Sequence, residues 1–223
     1  MGIGKGTIVE VYFEKNAAAR LSCPMGLVPG PGQYLLADIP TDTHGTLPVP
    51  IFQAGTLDGG FLAASPLLKA WTPGTSLNLR GPLGNGFILP PGSRAVALAA
   101  FGETTQRLSA LIEPAIAQGA AVTLLCEKSP QELPNEVEIM PLGALKDVAH
   151  WADYLALDMP REMTRSLPEL FQSIKPLGEA QVLVTTPMPC GGRGDCGVCA
   201  VSITRGYKLI CRDGPVLDLK LFL

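Results

Sequence analysis

Four of the chain's six cysteines are Cys190, Cys196, Cys199 and Cys211, spaced C-x5-C-x2-C-x11-C. In a reducing compartment a thiol cluster of this kind reads as metal ligands rather than a disulfide framework. Three ligands come from one loop and the fourth from the end of a following strand. Plant-type [2Fe–2S] centres share this plan, with four residues in the first gap; here the gap is five, as in other [2Fe–2S] ferredoxins. Gly191, Gly192, Gly194 and Gly197 lie between the thiols. A cluster held by four thiolates is anionic, so backbone N–H groups must turn inward towards its sulfurs. Glycines allow the positive φ values that this nest demands. Arg193 either places positive charge beside the cluster or is a solvated loop residue. The rival reading is structural zinc. Zinc knuckles usually pair two Cys-x2-Cys hooks, and this chain has one, with more glycine than a knuckle needs. Cys126, in an apolar run, reads as a small core residue. Cys23, beside a proline, has no evident partner.

No second constellation suggests catalysis. His44 sits in the polar stretch "TDTHGT" and His150 beside Trp151 near a helix end; both read as surface or cap residues. There is no nucleophile elbow, P-loop or HExxH. Asp158 and Glu162, in "DMPREM", read as the acidic start of a helix. A formal charge of -3 and a pI near 5.4 give no electrostatic case for binding nucleic acid or an anionic membrane. No apolar run approaches the roughly 18 residues that span a bilayer. The opening "MGIGKGTIVEVYFEK" lacks the apolar core of a signal peptide. A cytoplasmic protein is expected.

The elements that position the thiols fall into three segments. In residues 1–92, "TIVEVYF", "GQYLLADI", "PVPIFQAG" and "SLNLRG" read as short strands punctuated by Pro/Gly turns, the pattern of a small β-barrel. In 93–178, buried-strand runs such as "RAVALAAF" and "AAVTLLCE" alternate with helical stretches. "ETTQRLSALIEPAIAQG" reads as a helix that Pro114 kinks or restarts, and "REMTRSLPELFQSI" as another, following a strand at "DYLALDMP". This alternation predicts a small doubly wound α/β domain. In 179–223, "EAQVLVTTPMP" leads into the thiol loop, followed by a hairpin turning at Arg205-Gly206. The expected fold is therefore a β-barrel domain, a small α/β nucleotide-binding-like domain and a C-terminal [2Fe–2S] segment.

"LRGPLGNGF" (Leu79–Phe87), "CRDGPVLDL" (from Cys211) and "PGQY" (Pro31–Tyr34) together resemble the electron-transfer subunit of class 1B dihydroorotate dehydrogenase, in the ferredoxin reductase-like superfamily. The resemblance covers nearly the whole chain and implies the same order of barrel, α/β domain and cluster segment. It also implies an electron route. Dihydroorotate reduces a flavin in a separate catalytic subunit, a [2Fe–2S] cluster carries single electrons to FAD in this subunit, and FAD passes hydride to NAD.

The chain departs from that pattern where nucleotides are held. The family's Arg-Pro-x-Ser, which contacts FAD, matches "VPIF", so Val49 replaces the arginine and Phe52 the serine. Its Gly-x-Gly-Thr matches "LAAS" (Leu62–Ser65). Its glycine-rich turn for the nicotinamide nucleotide matches "AAFGETTQ" (Ala99–Gln106), with Gly102 alone, and its Cys-Gly-Pro matches "DMP" (Asp158–Pro160). Close approach to a pyrophosphate requires such glycines. The sequence thus predicts a chain that keeps the cluster, has lost NAD and has lost or altered its FAD site. It would serve as an electron-transfer subunit for a flavin-containing, dihydroorotate dehydrogenase-like partner, rather than as a stand-alone enzyme. The alternatives are a full FAD-containing subunit that serves NAD, and a metal-stapled structural subunit. The partner is expected to cover the surface around Cys190–Asp195 and "RDGPVL", where Arg193, Asp195, Arg212 and Asp213 would rim Met188, Val216 and Leu217.

Overall fold

A computed structural model describes residues 2–12, 18–40, 47–130, 133–174, 176 and 178–223; His44 lies outside them. Six antiparallel strands close a barrel: β1 (Gly2–Tyr12), β2 (Ala18–Ser22), β3 (Tyr34–Asp38), β4 (Val49–Leu57), β5 (Gly60–Ala63) and β6 (Ser76–Leu83), in the order β1-β2-β5-β4-β3-β6. Its interior is filled by Ile8, Leu21, Leu35, Ile51, Phe61, Trp71, Leu77 and Leu79. The run "YLLA" in β3 is apolar without alternation because both of its faces are covered. Leu35 and Ala37 point into the barrel, while Tyr34 and Leu36 join the core shared with the rest of the chain.

The remaining strands are β7 (Ala95–Ala100), β8 (Ala121–Leu125), β9 (Val137–Met140), β10 (Tyr154–Pro160), β11 (Glu179–Thr185), the hairpin β12 (Ala200–Ile203) and β13 (Gly206–Leu209), and β14 (Val216–Asp218). Apart from the hairpin they form one sheet ordered β14-β11-β10-β7-β8-β9, parallel throughout except for β14. β11 and β14 belong to this sheet, so the thiol loop is an excursion between two of its strands rather than a free-standing tail. The hairpin pairs Ile203 with Gly206, which places its turn at Thr204-Arg205, one residue earlier than expected.

The helices are shorter than the sequence pattern suggests. "ETTQRLSALIEPAIAQG" gives α1 (Gln106–Ser109) and α2 (Ile112–Ala117). Pro114 cannot donate back to Ala110, so the helix breaks there and restarts with proline inside its first turn. Further on come α3 (Leu145–Trp151), α4 (Leu167–Leu170) and α5 (Ile210–Asp213). Ahead of α4, Arg161–Ser166 forms a tighter 3-10 turn. There the Thr164 and Ser166 hydroxyls donate to the carbonyls of Arg161 and Met163 at 2.8 Å, and Pro168 opens a new turn. Asp158 does not begin a helix. It lies within β10, its side chain wholly buried.

Candidate metal centre and interdomain cleft

The thiol loop leaves β11 and returns through the hairpin to α5. Gly191, Gly192, Gly194 and Gly197 all take left-handed φ values of 63–78°. This conformation turns successive N–H groups to one side. The N–H groups of Gly194, Arg193 and Asp195 converge on the Cys190 sulfur, and the Cys196 thiol joins them. Burial alone would raise the Cys190 thiol, but these donors bring it down to about 7. Cys190, Asp195 and Cys196 hold their ligand atoms within 4.8 Å of one another. Cys211 faces Cys199 and Cys190. Burial and the Cys199 thiol push its own thiol up to about 12, and its N–H lies 3.5 Å from the Cys199 sulfur. The four thiols therefore form a connected series, Cys196 to Cys190 and Cys190 and Cys199 to Cys211, with Cys196 exposed and Cys199 and Cys211 buried. Asp213 fixes the last of them: its carboxylate accepts the Leu209 N–H at 2.9 Å, closing the turn that carries Cys211. Cys23 and Cys126 are buried, and burial raises both thiols.

The loop is seated on the barrel by small-residue contacts. A Cβ on Gly192 would lie 3.1 Å from the Tyr34 hydroxyl. That hydroxyl, buried at the barrel wall, donates to the Cys211 carbonyl at 3.0 Å. "GPLGNGF" and "RDGPV" meet across the same seam. The Asn85 N–H donates to Gly214 O at 2.7 Å and its side-chain amide to Asp213 O at 2.9 Å. A Cβ on Gly84 would fall 2.4 Å from Pro215 Cδ, so only glycine permits the approach. "GPLGNGF", read alone as a barrel turn, is thus a clasp for the cysteine segment. The partner-facing surface expected from the sequence needs correction. Met188, Val216 and Leu217 are buried in the core, because β14 lies against β11. What remains exposed around the thiols is the Arg193–Asp195 pair, Arg212, Val198 and Tyr207.

A cleft of about 920 Å³ separates the barrel from the sheet. Val49, Phe52 and Ser65 line its barrel wall, and Phe101–Thr104, Arg107 and Pro160 its sheet wall. The departures noted in the sequence therefore gather in one cavity. The sheet's strand order reverses between β7 and β10, which is where open α/β sheets place nucleotides, outside their carboxyl ends. Here that crevice holds an internal ion pair. Arg107 Nε lies 2.9 Å from the fully buried Asp158 carboxylate, and Nη1 donates to Ser65 O on the barrel at 2.9 Å. Full burial holds the Asp158 carboxyl above the usual carboxylate range, with Arg107 opposing that rise. The Gln106 side chain also accepts the Ser65 N–H at 2.7 Å, so α1 ties the two layers together. Gly102 lacks a positive φ, and the Gln106 N–H at the start of α1 donates to Thr104 Oγ1 at 3.2 Å. The turn therefore lacks the left-handed glycine that opens a backbone nest. Sequence reading missed this clamp, although a lone carboxylate inside the buried run "YLALDMP" was its signal. His150 is exposed, with Nδ1 2.6 Å from the Lys146 carbonyl.

Barrel, switch-point sheet and thiol loop together define a ferredoxin reductase-like fold with an iron–sulfur segment at its C-terminal end. Residues 186–222 match the iron–sulfur cluster binding domain of dihydroorotate dehydrogenase B. Among solved structures, a chain of NADH-dependent reduced ferredoxin–NADP oxidoreductase, from a study of flavin-based electron bifurcation, is 18% identical, with a TM-score of 0.75 over 99% of this chain and 90% of that one. The ferredoxin reductase of carbazole 1,9a-dioxygenase is 15% identical, TM-score 0.59, over 77% and 65% of the two chains. The flavohaem-like FAD/NAD-binding domain of nitric oxide dioxygenase from Vibrio cholerae is 15% identical, TM-score 0.57, over 82% and 98%. The chain resembles the electron-transfer subunit of dihydroorotate dehydrogenase B, and its matched segment supports an iron–sulfur cofactor. Among the described residues, no helix is long and apolar enough to cross a membrane.

Proposed function

We propose that Cys190, Cys196, Cys199 and Cys211 hold one [2Fe–2S] cluster, and that the chain is the iron–sulfur subunit of a complex with a flavin-containing, dihydroorotate dehydrogenase-like catalytic partner in the cytoplasm. The observation that carries this reading is the run of thiol contacts, Cys196 with Cys190 and both Cys190 and Cys199 with Cys211, beside a glycine nest whose N–H groups point at the Cys190 sulfur. Such donors favour thiolate over thiol, the form a metal needs. A bound cluster of this type supplies reversible one-electron storage. Everything else is done by the chain. The loop shields Cys199 and Cys211 against Tyr34 and leaves Cys196 at the surface, so electrons have a short way in from a partner docked on the Cys196 side.

The same reading takes NAD binding as lost and FAD as not retained. The cleft residues do not fit a dinucleotide: Val49 and Phe52 offer no donor to pyrophosphate, and Arg107 is committed to Asp158. Without flavin or nicotinamide of its own, the chain has no substrate chemistry and depends on its partner. The organisation that follows is a barrel (1–92), an α/β domain (93–178) and a cluster segment (179–223) that borrows two strand positions in the α/β sheet.

The test is anaerobic purification of the tagged chain from its native host, with iron, acid-labile sulfide and flavin quantified and co-purifying proteins identified. Two irons and two sulfides per chain, no flavin on the chain itself and a flavoprotein partner are expected. Cys196→Ser should lose the cluster, whereas Cys126→Ser should keep it. One zinc without sulfide would overturn the cluster assignment. A chain that comes down alone would overturn the obligate partner.

A further inference from the structure

We propose that Arg80 tunes the reduction potential of the metal centre, as a fixed positive charge held against the thiol loop from the barrel side. This rests on the reading that the four cysteines hold a [2Fe–2S] cluster, and it gives a barrel residue a part in the electron transfer. Arg80 lies in β6, where Leu77 and Leu79 point into the barrel and Arg80 takes the outer face. The β3–β6 register sets it opposite Leu36, which shares its outer face with Tyr34. The loop rests on these three side chains. A Cβ on Gly191 would lie 3.1 Å from Arg80 Nη2, and one on Gly192 3.1 Å from the Tyr34 hydroxyl and 3.5 Å from Leu36 Cδ1. The guanidinium therefore abuts the backbone next to Cys190. The Tyr34 hydroxyl lies within electrostatic reach both of Arg80 and of the Cys190, Cys199 and Cys211 thiols. Arg80 is half-buried and enters no ion pair or hydrogen bond among the described residues. Arg193 and Arg212, by contrast, are exposed and paired with Asp195 and Asp213. Nor does Arg80 line the cleft. A guanidinium keeps its charge at any working pH, and partial burial without a counter-ion is unfavourable unless an anion nearby offsets it. Thiolates around a metal supply that anion. One-electron reduction adds a further negative charge there, so Arg80 favours the reduced form and raises the potential.

The test uses the full chain, purified anaerobically as wild type, Arg80→Met, Arg80→Lys and Arg212→Met. Iron and acid-labile sulfide are quantified in each. The potential is then read from visible absorption during titration with dithionite and mediator dyes at physiological ionic strength. Arg80→Met keeps the aliphatic stem and removes the charge. At a fixed ambient potential its reduced-to-oxidised ratio should fall about tenfold, equivalent to about 59 mV for one electron. Arg80→Lys restores the charge and should stay within about twofold of wild type. Arg212→Met removes an exposed, screened charge and should also move the ratio by no more than about twofold. If Arg80→Met fails to load iron, Arg80→Gln, neutral but polar, is titrated in its place with the same expectation. An unchanged or raised potential in the neutral variant, an equal fall in Arg80→Lys, or an equal fall in Arg212→Met would overturn the proposal. So would loss of iron from both neutral variants, which would leave Arg80 a structural residue. A wild type without iron and sulfide would instead overturn the cluster reading itself, whereas a loaded wild type whose potential ignores Arg80 would overturn only the part assigned to Arg80.

Discussion

Replacing Arg107 by methionine tests whether the clamp in the sheet crevice is as closed as it looks. The substitution keeps the aliphatic stem and removes the one ionic partner that Asp158, whose side chain has no solvent exposure, has among the described residues. The main-chain N–H of Phe101 cannot compensate, because it donates to the Asp158 backbone carbonyl. Breaking a buried pair from one side costs roughly 3–5 kcal/mol, since the remaining charge is stranded. With a urea m-value of about 2–3 kcal/mol per molar, the unfolding midpoint should fall by roughly 1–2.5 M. The pH dependence has a definite sign. A carboxyl whose folded pKa is raised contributes stability below its unfolded pKa and loses it as pH rises through the folded value. In the wild type Arg107 opposes that rise; in Arg107→Met nothing does. The deficit of the variant should therefore widen from about pH 5 to about pH 8. The double variant Arg107→Met/Asp158→Leu leaves no charge behind and should recover most of the loss. The assay is urea unfolding of the anaerobic holoprotein, followed by far-UV circular dichroism. A single variant within about 0.5 kcal/mol of wild type at pH 8, or a deficit larger at pH 5 than at pH 8, would refute the reasoning.

Gly192→Ala combines a left-handed φ of 78° with a Cβ 3.1 Å from the Tyr34 hydroxyl, so it should cost about 1–2 kcal/mol locally; lower iron and sulfide content after anaerobic reconstitution is the readout, and wild-type loading would contradict it. Because the Phe101–Gln106 turn has no left-handed glycine and Arg107 is paired with Asp158, the chain should show no saturable NADH oxidation and no calorimetric binding of NADH below about 1 mM. Charge reversal at the exposed Arg193 or Arg212 should weaken capture of the flavoprotein partner more than reversal at Lys146, in α3 of the α/β domain, as read by co-purification yield; equal effects would move the docking face elsewhere.

Parts of this structure could be read from the sequence because their causes are local. Three of the four thiols lie within ten residues, from Cys190 to Cys199, and the glycines between them state the backbone conformation directly. β7, β8 and β10 announce themselves as apolar runs covered on both faces. β2 and β5 do not: "AARLS" and "GFLA" are short, with alanine and glycine in place of β-branched residues, and become strands by closing the barrel between longer neighbours. The burial of Met188, Val216 and Leu217 follows from the antiparallel return of β14 onto β11, a pairing across more than thirty residues that no local pattern encodes. The Arg107–Asp158 pair joins positions fifty-one residues apart, and its meaning depends on a strand order visible only once the sheet is assembled.

The seam between barrel and thiol loop bears on why the chain matches its relatives in some stretches and departs in others. "PGQY", "GPLGNGF" and "CRDGPV" are scattered in sequence but adjacent in space. Tyr34 bonds to the Cys211 carbonyl, Gly84 packs against Pro215, and Asn85 bonds on both sides of Gly214. Every one of these contacts orders the segment that brings the thiols of Cys190, Cys199 and Cys211 near one another. Such a loop buries little apolar surface of its own, so its conformation depends on what it rests against. The altered stretches around Val49, Phe52, Ser65, Phe101 and Asp158 lie instead around the cleft, where they add apolar wall and an interlayer ion pair. A chain under demand only for a stable fold would have no reason to keep the first set intact while rebuilding the second. A chain whose task is to present a metal centre on a rigid barrel has that reason, because displacing Tyr34 or Asn85 would loosen the nest itself, whereas filling the old crevice leaves it untouched.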